Sequence, residues 1–192
     1  MMQVQTHAAF IPQANSLSKV AAVADAVAAG ATTSADIADA LDVVTSQGAY
    51  YAKAARLLGL VEPDPATSET WQLTGAGRTY TSADDEPKAQ LLIDAVEQVP
   101  AMAVMRSQGR SSVETLFKQD LADSTAQRRA DTISSWYDLV KNRSHAVSAI
   151  AREAARAAGR ARGIAARTPS VTVEVCDGCF IERSVTGRCG CP

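Results

Sequence analysis

The sequence predicts a mainly α protein, and three observations carry that prediction. Alanine fills long stretches that lack β-branched runs, and alanine is the best helix former. Serines and threonines stand just ahead of apolar positions spaced three and four residues apart, the pattern of capped amphipathic helices. Extended character is confined to a short hairpin near residues 61–73 and to "VTVEV" just ahead of a cluster of four cysteines. At 192 residues, 46% hydrophobic and only 5% aromatic, the chain can build one or two domains with real cores.

Residues 1–15 read as irregular. Residues 16–30 read as a helix: Ser16 or Ser18 caps it, Val20, Ala21, Val23, Ala24 and Val27 form its apolar face, and Gly30 stops it. Residues 32–41 give a shorter helix capped by Thr33 or Ser34, with Ile37, Ala38 and Leu41 buried. "DVV" is a turn. Residues 45–60 form a third helix, capped by Thr45 or Ser46 and closed by Gly59. Val61-Glu62 and Trp71-Gln72-Leu73 then flank a Pro/Asp/Thr/Ser loop, which makes a small hairpin. Three helices followed by a hairpin is the order of a winged helix-turn-helix. The second and third helices supply the helix-turn-helix and the hairpin is the wing. A short helix over 74–82 follows, with Gly77 turning the chain and Leu73 returning to the core. "LTGAG" resembles the Leu-Thr-x-x-Gly phrase found after the second wing strand of many winged-helix proteins.

The second half begins with an acidic loop, "DDEP", and a helix over 88–100 ended by Pro100. "AMAVMRSQG" is a further short helix. Residues 111–121 start with a capping box of Ser111 and Glu114, and residues 123–142 form a longer helix from Ser124. Ser34 to Thr45 is eleven residues, as is Ser112 to Asp123, and Tyr50-Tyr51 falls where Arg128-Arg129 falls. The reading is a degenerate repeat: a winged helix-turn-helix over 16–85 and a second helix-turn-helix with a reduced wing over 86–142. An alanine-arginine helix or tether (143–168) and a zinc ribbon (169–192) complete the chain.

All four cysteines, Cys176, Cys179, Cys189 and Cys191, lie in the last seventeen residues. A Cys-x-x-Cys knuckle wraps one side of a tetrahedral Zn²⁺, and the second pair, here the tighter Cys-x-Cys, closes the other. One structural zinc would replace a core that so short a tail cannot build. Two disulfides or four free thiols are the alternatives. No secretory signal or membrane span is visible, which points to a soluble cytoplasmic protein, where clustered cysteines bind metal more often than they pair.

Net charge is −2, but residues 1–100 hold five basic and twelve acidic side chains, and the remainder fourteen basic and nine acidic. A basic half suggests a polyanionic partner. The exposed face of the first module's third helix would present Thr45, Ser46, Gln47, Tyr50, Lys53 and Arg56, and that of the second Ser124, Thr125, Gln127, Arg128 and Arg129. Polar residues early in a recognition helix reach base edges, and Arg and Lys take phosphates. Arg128-Arg129 makes the second module the better DNA reader, while the acidic first one suits a protein contact or dimerisation. Arg152, Arg156 and Arg160, four apart, share one face of the basic helix and would add salt-sensitive phosphate contacts. The plainer alternatives are scaffold helices and a solvated arginine face.

Catalysis finds little support: His7 and His145 lie in unrelated contexts, and no nucleophile triad, Walker loop or metal-binding acid cluster is visible. The phrases "LADSTAQRRADTISSWYDLV" and "TTSADIADALDVVTSQGAYYAKAARLLGLVE" resemble those of bacterial winged-helix proteins associated with restriction endonucleases and ATPases. The residues that carry the likeness are Ser124, Thr125, Arg128, Arg129, Thr132, Ser135 and Trp136, with the "A-x-x-L-G-L-V" ending of the first phrase. The resemblance implies double-stranded DNA binding in transcriptional control or in a restriction or phage-defence system. It brings no nuclease or ATPase segment, so the expectation is a non-enzymatic DNA-binding protein, free of membrane and able to act as a homodimer. The alternative is an adaptor whose winged helices and zinc ribbon dock on a nuclease, ATPase or polymerase.

Overall fold

The computed structural model describes residues 11–167. Residues 1–10 with His7, the strand expected over 171–175 and the four cysteines lie outside the described residues. The described chain is mainly α. It runs α1 (Leu17–Ala28), α2 (Ser34–Leu41), α3 (Thr45–Leu57), β1 (Val61–Pro63), β2 (Trp71–Leu73), α4 (Gly75–Ser82), α5 (Asp85–Glu97), α6 (Pro100–Gln108), α7 (Arg110–Phe117), α8 (Asp123–Val140) and α9 (Arg143–Arg167).

The first two helices start where side-chain capping dictates. The Ser16 hydroxyl accepts from the Lys19 amide. Thr33 and Asp36 form a reciprocal capping box at the start of α2, each side chain accepting from the other's backbone N–H. Asp42 ends α2 in the left-handed region, and the Lys19 ammonium donates to the Leu41 and Asp42 carbonyls at 2.9 and 3.4 Å. A cation there meets the negative end of the helix dipole and pins α2 to α1.

α3 follows after a three-residue turn and crosses α2 closely at Gly48. β1 and β2 pair antiparallel, with Val61 opposite Leu73, and Thr33 adds a one-residue bridge to Thr70. The Trp71 amide donates to the Thr32 carbonyl at 2.7 Å and its indole N–H to Ser34 Oγ at 3.2 Å. The hairpin is therefore stitched to the α1–α2 connection. Thr74 caps α4 by accepting from the Gly77 amide and donates to the Gly59 carbonyl.

Six local expectations are corrected. Gly77 is inside α4 rather than at a turn, and the absence of a Cβ is what matters there: a Cβ would stand 1.9 Å from the Leu60 carbonyl oxygen. Asp85 and Glu86 are the first turn of α5, where acids complement the helix dipole, rather than a loop. α5 ends at Glu97 without help from Pro100, which instead opens α6 at its first position, where its missing N–H costs nothing. Ser111 and Glu114 do not form a capping box, because α7 already begins at Arg110 behind Gly109. Glu114 turns to Lys118 and Arg110, whose hydrogen bonds hold its carboxyl below the usual carboxylate range. The cap proposed at Thr45 or Ser46 also gives way, since α3 starts behind Val44 with no side-chain cap, and α8 starts at Asp123, one residue before the expected Ser124.

One continuous core joins all these helices, with α1 at its centre, buried from Val20 to Val27. The alanine-arginine segment is a helix, as expected, but not a tether. α9 folds back along α1 and α2 and also meets α5, burying Ala146, Ile150, Ala154, Ala157 and Ala161 on one stripe. Alanines at this spacing give a smooth face that lets backbones approach. Within the core, the Lys88 ammonium of α5 donates to the Asp25 carboxylate of α1 at 2.9 Å and sits 5.3 Å over the Tyr80 ring of α4.

Candidate functional site

The outer face of α3 is set by its register. Gly48, Tyr51, Ala52, Ala54 and Ala55 are buried, so Thr45, Ser46, Gln47, Tyr50, Lys53 and Arg56 are exposed. Val44 and Leu57 add apolar surface at the two ends of this face: they are 65% and 37% exposed, and Tyr50 is 46% exposed. The first turn of α3 holds no acid and no capping side chain. The Gln47 amide there donates to the Val44 carbonyl at 2.8 Å.

α8 approaches this face through a strap formed by residues 11–15. Trp136, fully buried in α8, donates its indole N–H to the Ala14 carbonyl at 2.8 Å. The Thr132 hydroxyl, also buried in α8, donates to Asn15 Oδ1 at 2.6 Å. A buried indole N–H needs an acceptor, and here it fastens the strap. The strap lays Ile11 and Pro12 between α3 and α8. A groove of about 680 Å³ results, lined by Ile11, Pro12, Tyr50, Lys53, Arg56, Leu57 and Arg129. Three of these seven are cationic and none is acidic. Partial burial of Arg129 pulls its guanidinium below the usual pKa, a cost of holding a cation against this wall.

Of the residues read from sequence as two separate recognition helices, three from α3 and one from α8 therefore meet in one groove. Tyr50, Lys53 and Arg56 share the groove with Arg129. Thr45, Ser46 and Gln47 stand at the exposed start of α3. Ser124, Gln127 and Arg128 are exposed and Thr125 half-buried at the start of α8, where Arg128 Nε donates to the Ser124 carbonyl of its own helix. Ile11, Pro12 and Leu57 escaped sequence reasoning, because only the strap's long-range hydrogen bonds reveal them as walls.

The α9 arginines form a different group, and none lines the groove. Arg152, Arg156 and Arg160 are exposed, as their spacing required. Two of them have acids beside them: Arg156 meets Glu153 at 3.2 Å, and Arg160 meets Asp42 of α2 at 3.0 Å. Sequence spacing within α9 could not show the second pair, because Asp42 comes into range only through docking of α9 on α2. Such exposed pairs contribute little stability and exchange readily. The hairpin carries Glu62, Asp64 and Glu69 and no base, and none of these three acids lines the groove.

Among the described residues, no group of three or more His, Cys, Asp or Glu side chains is placed to hold a metal ion, and no helix is long and apolar enough to cross a membrane. The profile of one protein family, Domain of unknown function (DUF7226), matches residues 19–144, from the start of α1 to the start of α9. No curated protein and no solved structure matches the chain.

Proposed function

We propose that this chain, which belongs to the DUF7226 family, is a non-enzymatic DNA-binding protein that grips DNA through the face formed by α3 and α8. The observation that carries the reading is the convergence of Lys53, Arg56 and Arg129 on one groove with no acid among the described residues of its lining. Cations from separate elements collected on one concave face suit a phosphate backbone. The α2–α3 pair with its hairpin supports a winged helix-turn-helix reading, in which Thr45, Ser46 and Gln47 at the start of α3 reach toward base edges. The α7–α8 pair supports a second helix-turn-helix without a wing. Its acidic hairpin leaves the first module's phosphate contacts to α3. Arg152, Arg156 and Arg160 would add weaker, outlying contacts.

The donor set Cys176, Cys179, Cys189 and Cys191 suits a structural zinc held by four thiolates, which would stabilise the short tail beyond α9. Metal analysis of the purified chain should give one zinc per chain. None would leave the thiols to disulfides or to themselves. The resemblance of the two helix-turn-helix phrases to restriction- and ATPase-associated winged-helix proteins supports a place in transcriptional control or in a defence system.

One observation favours a second reading. Val44, Tyr50 and Leu57 put apolar surface on the same helix face, which suits a protein partner as well as DNA. Salt separates the two. The DNA reading expects duplex affinity that falls steeply with ionic strength, and Lys53→Ala with Arg56→Ala should lower the log–log slope by about 2, near 0.9 per lost phosphate contact. Both side chains are exposed, so the fold should persist. Duplex binding that is absent, or indifferent to both salt and these substitutions, would leave the adaptor reading.

A further inference from the structure

We propose that the groove between α3 and α8 takes an unstacked nucleotide of single-stranded DNA, with its phosphate on Lys53 and Arg56 and its base against Tyr50. The inference rests on the DNA-binding reading above and narrows it to one form of nucleic acid at this groove.

Three features of the groove argue for it. First, its walls are largely apolar: Ile11, Pro12 and Leu57 stand between the cations. A phosphate alone gains nothing from apolar walls, whereas a nucleobase offers a flat apolar face as soon as it leaves the stack. A duplex hides those faces and presents only base edges and backbone. Second, Tyr50 is nearly half exposed on the outer side of α3, one turn from Lys53 and two turns from Leu57. Positions spaced three and seven apart share a helix face, so an aromatic ring, a cation and an aliphatic wall line up along α3. Third, Arg129 reaches the same groove from α8. Cations thus stand on two sides of an aromatic and aliphatic floor, the combination that holds single strands without reading sequence. A convex helix face that enters the major groove of a duplex does not need a second wall. The strap tied to Ala14 and Asn15 builds one.

The experiment compares the whole chain's affinity for a labelled single-stranded oligonucleotide of about 12 nucleotides, a span within the usual site sizes, with its affinity for the duplex of the same sequence. Fluorescence anisotropy is read for wild type, Tyr50→Ala and Tyr50→Phe, with circular dichroism to show that each variant folds. The expected result is single-strand binding that drops about tenfold or more in Tyr50→Ala, the loss of one stacked base, and is retained in Tyr50→Phe, which keeps the ring. Duplex affinity should change much less with either variant. Duplex binding without single-strand binding, or single-strand binding that ignores Tyr50→Ala, would overturn this inference and leave the broader DNA reading intact. Binding of neither form would remove both. A synthetic acidic peptide carrying one tryptophan serves as the rival probe: if it binds more tightly than the single strand and competes with it, the groove is a peptide site and the inference fails.

Discussion

Gly48 lies where α3 crosses α2, and nothing larger fits. A Cβ there would come within 2.0 Å of the Ser34 carbonyl oxygen and 3.0 Å of the Ala38 Cβ. Backbone cannot yield as a side-chain tip can, so Gly48→Ala must push the two helices apart. The expected cost is about 3 kcal/mol or more, read as a loss in chemical denaturation. Gly59 is the contrasting case. It sits at φ +72° beyond α3, and a Cβ there would meet nothing within 4 Å. Gly59→Ala should cost only the left-handed backbone preference, about 1 kcal/mol. Equal effects from the two would mean that the close approach of α2 and α3 carries no energy. Sequence reading assigned Gly59 correctly, because a glycine just after an apolar period signals a helix end. It had no means to see Gly48 or the true role of Gly77. Both are needed for space against another segment, and space is a tertiary quantity.

At the scale of elements, the tie between α1 and α5 is electrostatic as well as apolar. Asp25 and Lys88 are each only 8% exposed. Burial pushes the Asp25 carboxyl above its ordinary value of 3.8 even though Lys88 hydrogen-bonds it, and burial likewise raises the Tyr80 hydroxyl nearby. Taking two charges out of water costs about as much as their attraction returns. Removing one partner is worse than removing both: Asp25→Ala leaves the Lys88 ammonium buried without its anion and should cost about 3–5 kcal/mol, while Asp25→Leu with Lys88→Met should be near neutral or stabilising. The pH dependence has a definite sign. Because the folded carboxyl binds its proton more tightly than the unfolded one, its contribution is full below pH 3.8 and declines as pH rises through the higher folded value. Against the general trend set by the other carboxylates, the double variant should lose this downward component in stability measured from pH 3 to 7. Identical pH profiles for wild type and the double variant would show that Asp25 titrates normally. Helix starts show the same divide between local and tertiary causes. α1 and α2 were legible because Ser16 and Thr33 cap them. α3, α7 and α8 begin behind Val44, Gly109 and Ala122, so rules built on capping side chains drew their boundaries from the wrong residues.

At the scale of the whole molecule, the question is what α9 does for the rest of the fold. Its helical state was written in its composition, but its position was not. Alanine favours helix on every face alike, so a stripe of buried alanines and a stripe of solvated ones look the same in sequence. The same limit hid the groove: Tyr50, Lys53 and Arg56 could be placed on one face from spacing alone, but nothing local joins them to Arg129 or to Ile11. Docked along α1, α9 closes one side of the central helix, and the stability of α1 should depend on it. Ala157 is buried in the stripe and Ala155, two residues earlier, is exposed. Ala157→Asp puts an unpaired carboxylate between helices and should cost about 3 kcal/mol or more, whereas Ala155→Asp should stay within about 0.5 kcal/mol. Hydrogen exchange gives the decisive view. If α9 is part of the core, Ala157→Asp must strip protection from the α1 amides between Val20 and Val27 as well as from α9 itself, because both belong to one cooperative unit. A loss confined to α9 would make it a separable arm resting on a complete domain. Full protection in both helices would refute the docking. The groove supplies a second readout of the same experiment. α8 meets the strap through Trp136 and Thr132, not through α9, so a variant that only undocks α9 should keep the Lys53–Arg56–Arg129 surface and its DNA affinity, whereas one that unravels α1 should lose both.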